Sequence, residues 1–318
     1  MTIEFFKNAF QFDIWAALET ETVTTALPRY IKILKGRAKA KFLILKENGN
    51  LAKRISSAYL MLKNCQLCER RCCVDRNKVK GYCQVGTKPI ISSYFVHFGE
   101  EPFFVPSFTI FFMGCSFACQ YCQNWSISQW AEPGHVFTEQ QIAEIIEQNS
   151  GCRNVNFVGG EPTPHLPFIL KAMTYVKANI PILWNSNFYM SDKAMDLLSG
   201  FVDVWLTDWK YGNNRCAERL SKVANYWTVI ERNHNRAFKD SEMVIRHLVL
   251  PGHFECCTKP ILEYIGANFG RNVIVNIMAQ YRPEWKAKRY KEISKPVSKE
   301  YMEKVYRLAE RLELNYIK

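Results

Sequence analysis

Between residues 108 and 278 short apolar runs alternate with longer amphipathic stretches, and this alternation constrains the fold more than any other feature of the chain. Six runs read as buried strands: 109–113, 155–158, 182–184, 202–206, 244–249 and 273–277. The stretches between them carry helix spacing, as in 138–149, 166–177, 192–198 and 260–267, and Thr138 with Gln141 forms a capping-box signature. Parallel strands need long crossovers, and such helices supply them. The expected class is α/β, as a partial (β/α)6 TIM-like barrel, with a doubly wound sheet as the alternative. Around a core at 106–280 the texture suggests a mostly helical extension at 1–64, a cysteine-rich accessory module at 65–105 and a basic helical segment at 281–318.

Chemically suggestive residues follow most of these strands. The first runs into Cys115, Cys119 and Cys122. Later strands end in Gly159-Gly160-Glu161-Pro162, Asn185-Ser186-Asn187, Thr207-Asp208-Trp209-Lys210 and Asn276-Ile277-Met278-Ala279-Gln280. Folds of this class gather active-site residues at the carboxyl ends of their strands, so these motifs are expected to share one mouth. A [4Fe–4S] cube takes four thiolates, so a compact trio can hold one and leave an iron free for another ligand. Zinc or three buried thiols are the alternatives; for zinc the only histidine in the following segment is His135, at an unconvincing spacing.

The C-x3-C-x2-C spacing, with Tyr121 just before the last cysteine, resembles the cluster loop of radical S-adenosylmethionine (radical SAM) enzymes. The G-G-E-P one strand later matches the same family's pattern. His97-Phe98-Gly99-Glu100-Glu101-Pro102, Cys122-Gln123-Asn124-Trp125, the segment from Arg246 to His253 and that from Asn276 to Tyr281 resemble a subgroup described as homologues of pyruvate formate-lyase activating enzyme, over roughly residues 51–318. That subgroup commonly has Gly-Ser-Gly before its first strand, where this chain has Pro106-Ser107-Phe108.

The resemblance implies a [4Fe–4S] cluster on Cys115, Cys119 and Cys122, and S-adenosylmethionine beside it. Gly159, Gly160 and Glu161 would hold the amino group of that cofactor. Asp208 and Lys210 are similar to a motif of glycyl-radical-enzyme activases, with a surface ion pair as the alternative. Arg246 is either a contact for the methionyl carboxylate or ribose, or a structural arginine paired to an acid. Asn185 and Asn187 are further ligand candidates, with helix capping as the alternative. Tyr281 and Cys216 read as electron or hydrogen relays, or as core packing and an inert thiol.

A second cysteine group, Cys65, Cys68, Cys72 and Cys83, suits another iron–sulfur cluster or zinc. Its Gly81-Tyr82-Cys83 resembles the end of a family motif opening C-x-L-C-P-R-x-C-G, but Glu69 and Cys73 stand where proline and glycine are usual. The choice between Cys72 and Cys73 stays open, and unligated structural thiols are the alternative.

The activity implied is that of a radical SAM oxidoreductase. Flavodoxin or ferredoxin delivers an electron, S-adenosylmethionine is cleaved reductively, and a 5′-deoxyadenosyl radical takes hydrogen from a substrate, a protein glycine by analogy with the activases. Radical modification of RNA or of a peptide is the alternative, and a non-catalytic iron–sulfur or zinc protein is a reading of another class.

Composition bears on compartment and partners. Among 318 residues there are twelve cysteines and no sign of an export signal at the N-terminus, which points to metal or redox chemistry in a reducing, cytoplasmic setting. No apolar run is long enough for a membrane span. The net charge of +12 keeps an RNA partner in view, although a solvated basic surface explains it equally simply.

Overall fold

The computed structural model describes residues 16–129 and 132–318; the first fifteen residues of the expected N-terminal extension lie outside the described residues. Nine strands form one sheet: β1 (Ile90–His97), β2 (Ser107–Phe112), β3 (His135–Val136), β4 (Asn154–Gly159), β5 (Ile182–Ser186), β6 (Val204–Asp208), β7 (Glu242–Leu248), β8 (Ile274–Met278) and β9 (Tyr316–Ile317). Their order is β3-β1-β2-β4-β5-β6-β7-β8-β9. From β2 to β9 every neighbouring pair is parallel, whereas β1 is antiparallel to both β2 and β3. Among the described residues the sheet ends at β3 and β9, in keeping with the partial barrel of six β/α units expected from the sequence.

The crossovers follow the sequence in part. Glu139–Gln148 carries the Thr138/Gln141 capping box, and Asp192–Leu198 and Lys259–Asn268 lie close to where their spacing puts them. The helix expected at 166–177 is shorter, Leu166–Ala172. Two helices between β6 and β7, Asn214–Ser221 and Tyr226–Asp240, were not anticipated, since polar residues dominate both. The C-terminal segment contains one long helix, Lys299–Arg311, preceded by short turns and followed by β9.

Each face of the sheet has its own cover. One is packed by the crossover helices into a large core that includes Phe112, Phe157, Trp184, Trp205 and Ile245. On the other, Leu183, Val204, Leu206, Val244 and Ile274 meet Leu18, Val23, Leu27, Tyr30, Phe103 and Phe104. Residues 17–34 and the segment before β2 therefore plug the barrel. Polar contacts hold the plug at the amino ends of the strands. The Glu242 carboxylate, at the start of β7, accepts from the backbone N–H groups of Arg29 and Tyr30, and Asp203, just before β6, accepts from Lys41 N at 3.0 Å and Ile182 N at 2.9 Å. The opposite, carboxyl end is left to the polar motifs.

Candidate active site at the cysteine loop

β2 delivers the chain through Met113 and Gly114 into the cysteine loop, and β4 delivers Gly159-Gly160 beside it. Glycine is required at both later positions. Gly159 has φ +117°, and a Cβ there would lie 2.2 Å from the Phe112 backbone. A Cβ on Gly160 would lie 2.1 Å from the Gly114 carbonyl oxygen. The G-G pair thus lets the loop after β4 press directly onto the start of the cysteine loop. His165, six residues after Gly159, reinforces the contact: its ring stacks on Phe112 and its Nε2 donates to the Met113 carbonyl at 2.8 Å. Burial lowers its pKa to about 3, so the ring is neutral.

Each sulfur of the trio has a hydrogen-bonding neighbour. Cys115 Sγ accepts from Phe117 N at 3.3 Å and Asn187 Nδ2 at 3.5 Å. Cys119 Sγ accepts from Ser221 Oγ at 2.9 Å, and Cys122 Sγ lies 3.2 Å from Ser128 Oγ. Burial pushes the Cys119 thiol up to about 12 against the pull of Lys210, and it raises those of Cys115 and Cys122 too. Three sheltered thiols, each met by a polar neighbour able to satisfy a thiolate, fit the ligands of an iron–sulfur cluster. An orphaned donor lies on the next strand end: Asn185 Nδ2 is buried without a hydrogen-bond partner among the described residues.

Other candidates are committed to the protein itself. Glu161 is 1% exposed, and its two oxygens accept from Thr163 N at 3.2 Å, Thr163 Oγ1 at 2.5 Å, Ser186 Oγ at 2.6 Å and Asn187 N at 2.9 Å. Burial raises its pKa against these donors. Its carboxylate therefore ties the end of β4 to the end of β5, where the resemblance implies a direct ligand contact. Asn187, besides Cys115, binds Ser116 Oγ at 3.0 Å.

Arg246 is paired to acids. Its Nε and Nη2 reach the two Glu101 oxygens at 2.8 and 2.7 Å, and Nη2 also pairs with Glu100. Asn156 donates to Glu100 at 2.9 Å and Asn276 to Glu101 at 2.8 Å. This ion-pair network pins the segment before β2 inside the barrel.

Asp208 and Lys210 pair at 2.7 Å. Burial alone would lower the ammonium's pKa; Asp208 and the Cys119 sulfur hold it well above the ordinary lysine range. Lys210 therefore remains a cation close to the cysteine loop. Tyr281 is buried edge-on to Tyr121 and donates to the Ile293 carbonyl at 2.5 Å, which is the packing alternative of its two readings. Ser128, Ser221 and His165 were missed in sequence, because single serines and a histidine off any motif carry no signal.

The second cysteine group lies alongside. Cys65, Cys68, Cys72 and Cys83 line one small pocket, together with Arg70, Arg76 and Pro164. Cys73 is exposed, with φ +54°. Arg70 Nε donates to the Ser116 carbonyl at 2.8 Å, and Arg76 Nη1 to the Pro164 carbonyl at 2.8 Å. The module is therefore bolted to both the cysteine loop and the loop after β4.

Residues 109–265 match the radical SAM superfamily. The uncharacterized protein MJ0674 of Methanocaldococcus jannaschii is 48% identical over 271 residues, covering 83% of this chain and 79% of the relative. The uncharacterized protein MJ0808 of the same organism is 25% identical over 135 residues, 36% of this chain and 40% of its own length. Among solved structures, SuiB of Streptococcus suis bound to its precursor peptide SuiA aligns with a TM-score of 0.49 at 15% identity, over 64% of this chain and 46% of SuiB. A domain of pyruvate-formate lyase-activating enzyme from Bacteroides vulgatus aligns with a TM-score of 0.42 at 18% identity, over 52% of this chain and 97% of that domain. The chain thus spans less than half of SuiB and of MJ0808 but most of MJ0674. A partial barrel whose first parallel strand ends in a C-x3-C-x2-C loop, met there by a G-G-E-P turn, together with the superfamily match, means that this chain belongs to the radical SAM superfamily.

Proposed function

We propose that this enzyme acts on a protein or peptide segment, taking a hydrogen atom from a glycine Cα held over the cysteine loop. The observation that carries the radical chemistry is the trio of sheltered thiols with a hydrogen-bonding neighbour at each sulfur. When bound there, the [4Fe–4S] cluster and S-adenosylmethionine supply one-electron cleavage of the sulfonium and a 5′-deoxyadenosyl radical. The chain's own residues hold and shelter these groups. Asn187, Ser221 and Ser128 meet the three sulfurs, the free Asn185 amide offers a donor to the bound cofactor, and Lys210 keeps a positive charge beside the loop. Glu161, which holds Thr163, Ser186 and Asn187, sets the spacing of the β4 and β5 ends.

A polypeptide substrate is supported by the rim. Trp125, three residues past the last cysteine, stacks on Trp285 at 4.6 Å, and Trp285 is 37% exposed. Lys286 N donates to the Gln120 carbonyl at 2.9 Å, so the segment after β8 lies across the cysteine loop. Exposed aromatic faces beside a polar mouth suit a peptide strand. The convergence of Cys65, Cys68, Cys72 and Cys83 on one pocket supports an accessory iron–sulfur cluster or zinc there, and a flavodoxin or ferredoxin would supply the electron.

The test begins with protein reconstituted without oxygen and reduced with dithionite, comparing 5′-deoxyadenosine from wild type and from Cys115→Ala/Cys119→Ala/Cys122→Ala. Product from wild type alone supports the chemistry; none, with an intact cluster and bound S-adenosylmethionine, overturns it. Peptides carrying α-deuterated glycine then decide the substrate. Deuterium recovered in 5′-deoxyadenosine supports glycine, and transfer only from RNA or from other peptide positions rejects it.

A further inference from the structure

Cys216 stands apart from the cysteine loop, in a cluster that the chemistry above leaves unused. Its sulfur, those of Cys256 and Cys257, and Nδ1 of His253 all lie within 4.8 Å of one another. Cys216 Sγ is 3.9 Å from Cys256 Sγ, which is 3.8 Å from Cys257 Sγ. His253 Nδ1 lies 3.6 Å from Cys216, 3.4 Å from Cys256 and 3.5 Å from Cys257. Zinc with ordinary bond lengths to sulfur and nitrogen sets tetrahedral edges of about 3.8 Å between sulfurs and about 3.6 Å between sulfur and nitrogen. The observed edges follow that pattern. Hydrogen bonding does not explain the cluster, because one ring nitrogen has one lone pair and three sulfurs surround it. A four-iron cube does not explain it either, since each of its ligand sulfurs binds a separate iron and the set must spread wider.

We propose that Cys216, His253, Cys256 and Cys257 form a structural zinc site. All four positions are filled by protein and three of the four residues are buried, as in a closed site rather than a catalytic one. The backbone is shaped for it. A single π-helical turn, Phe254–Thr258, has both Cys257 N and Thr258 N bonded to the His253 carbonyl, at 3.0 and 3.1 Å, and this wide turn brings His253, Cys256 and Cys257 to one side. Cys216 comes from the first turn of Asn214–Ser221. That helix is capped by Asn213, whose Nδ2 donates to Cys216 Sγ at 3.4 Å and to the Cys256 carbonyl at 2.7 Å. The other ring nitrogen of His253 is buried, has no hydrogen-bond partner among the described residues, and lies 4.0 Å from the Glu292 carboxylate. A metal-bound histidine usually donates this second N–H to a carboxylate; Glu292 is such an acceptor but stands beyond hydrogen-bond distance.

The site joins the segment that follows β6 and its Asp208–Lys210 pair to the loop after β7. Gly212 is held against it so closely that a Cβ would sit 2.7 Å from the Cys256 carbonyl oxygen. The helix that starts at the metal ends at Ser221, the donor to Cys119. Zinc thus fixes from one side a helix that supports the cysteine loop on the other.

The experiment uses the full chain purified without oxygen, with metal content by mass spectrometry and zinc K-edge X-ray absorption. The expected result includes about one zinc per chain bound by three sulfurs and one nitrogen, a count that differs from the four sulfurs of zinc at the Cys65 group. In Cys256→Ser/Cys257→Ser this zinc falls below about one tenth of an equivalent while iron on the cysteine loop is retained. His253→Cys keeps the metal and converts its shell to four sulfurs, which decides the matter even if the double variant does not fold. Wild type without a bound zinc, a disulfide within the cluster, or a zinc spectrum unchanged in His253→Cys each overturns the proposal.

Discussion

Asn187 shows how one side chain can tie a ligand sulfur to the loop around it. Its Nδ2 is shared between Cys115 Sγ and Ser116 Oγ, and its backbone N–H is fixed by Glu161. Hydrogen bonds to ligand sulfur withdraw charge from the thiolate and raise a cluster's potential. Asn187→Ala is therefore expected to move the midpoint of the reconstituted cluster to more negative values, read by a redox titration followed by electron paramagnetic resonance; an unchanged midpoint would assign Asn187 to loop packing alone. His234 illustrates a purely structural commitment. Its Nδ1 donates to the Ile230 carbonyl at 2.8 Å, which obliges Nε2 to accept from Thr207 Oγ1, also at 2.8 Å. Burial lowers its pKa to about 3. The unfolded chain takes up a proton below about pH 6.5 while the folded one does not, so this group's stabilisation is complete above that pH and is lost as pH falls toward about 3. At pH 5 the loss is about 2 kcal/mol, so the acid limb of the stability curve should be shallower by that amount in His234→Gln, measured by urea unfolding from pH 7 to pH 5.

Elements differ in how much of them could be read in advance, and the cause is physical. Six of the seven parallel strands were legible because burial on both faces leaves continuous apolar runs, such as Ile182 to Trp184, that no surface segment would carry; the two-residue β9 is too short to show one. β1 was not, because Ser92, Ser93, Tyr94 and Phe95 face partly outward and the strand is recognisable only by its pairing with β2. The cysteine loop and G-G-E-P were legible as motifs. Glu161's bonds to Ser186 and Asn187, Arg246's pairing with Glu100 and Glu101, and the donors Ser128 and Ser221 were not, since each depends on which chain segments meet in space. The glycines lie between these cases: their identity was visible, their steric reason was not. Gly160→Ala places a methyl carbon against the Gly114 carbonyl, a backbone atom that cannot swing aside. The loop after β2 must move instead. Iron retained after anaerobic reconstitution is expected to fall several-fold, with far-ultraviolet circular dichroism unchanged; full iron loading would show that the contact is not needed to set the loop.

At the scale of the whole molecule, the first described helices explain why the barrel can remain open. An unclosed sheet leaves its inner face without the layered side chains that fill a closed barrel. Here residues 17–34 and Phe103-Phe104 supply that filling from outside the β/α units. The helical texture of the N-terminal extension did not reveal this role, because covering a barrel's inside and covering its outside make the same demand on a helix. Phe104 is fully buried and packs edge-on to Tyr30 at 5.4 Å, so it links the two parts of the plug. Truncating it removes a large apolar surface and leaves a cavity that stiff strands on one side cannot collapse into, at a cost of about 3–5 kcal/mol. The cysteine loop lies at the other end of the strands, and the Glu100–Glu101–Arg246 network stands between. Phe104→Ala should therefore lower the urea midpoint by the full cost while leaving the iron content and the cluster's spectrum intact under native conditions. A loss of iron in parallel with stability would instead mean that the plug and the active site form one cooperative unit, and that the polar network transmits the packing of the barrel floor to its mouth.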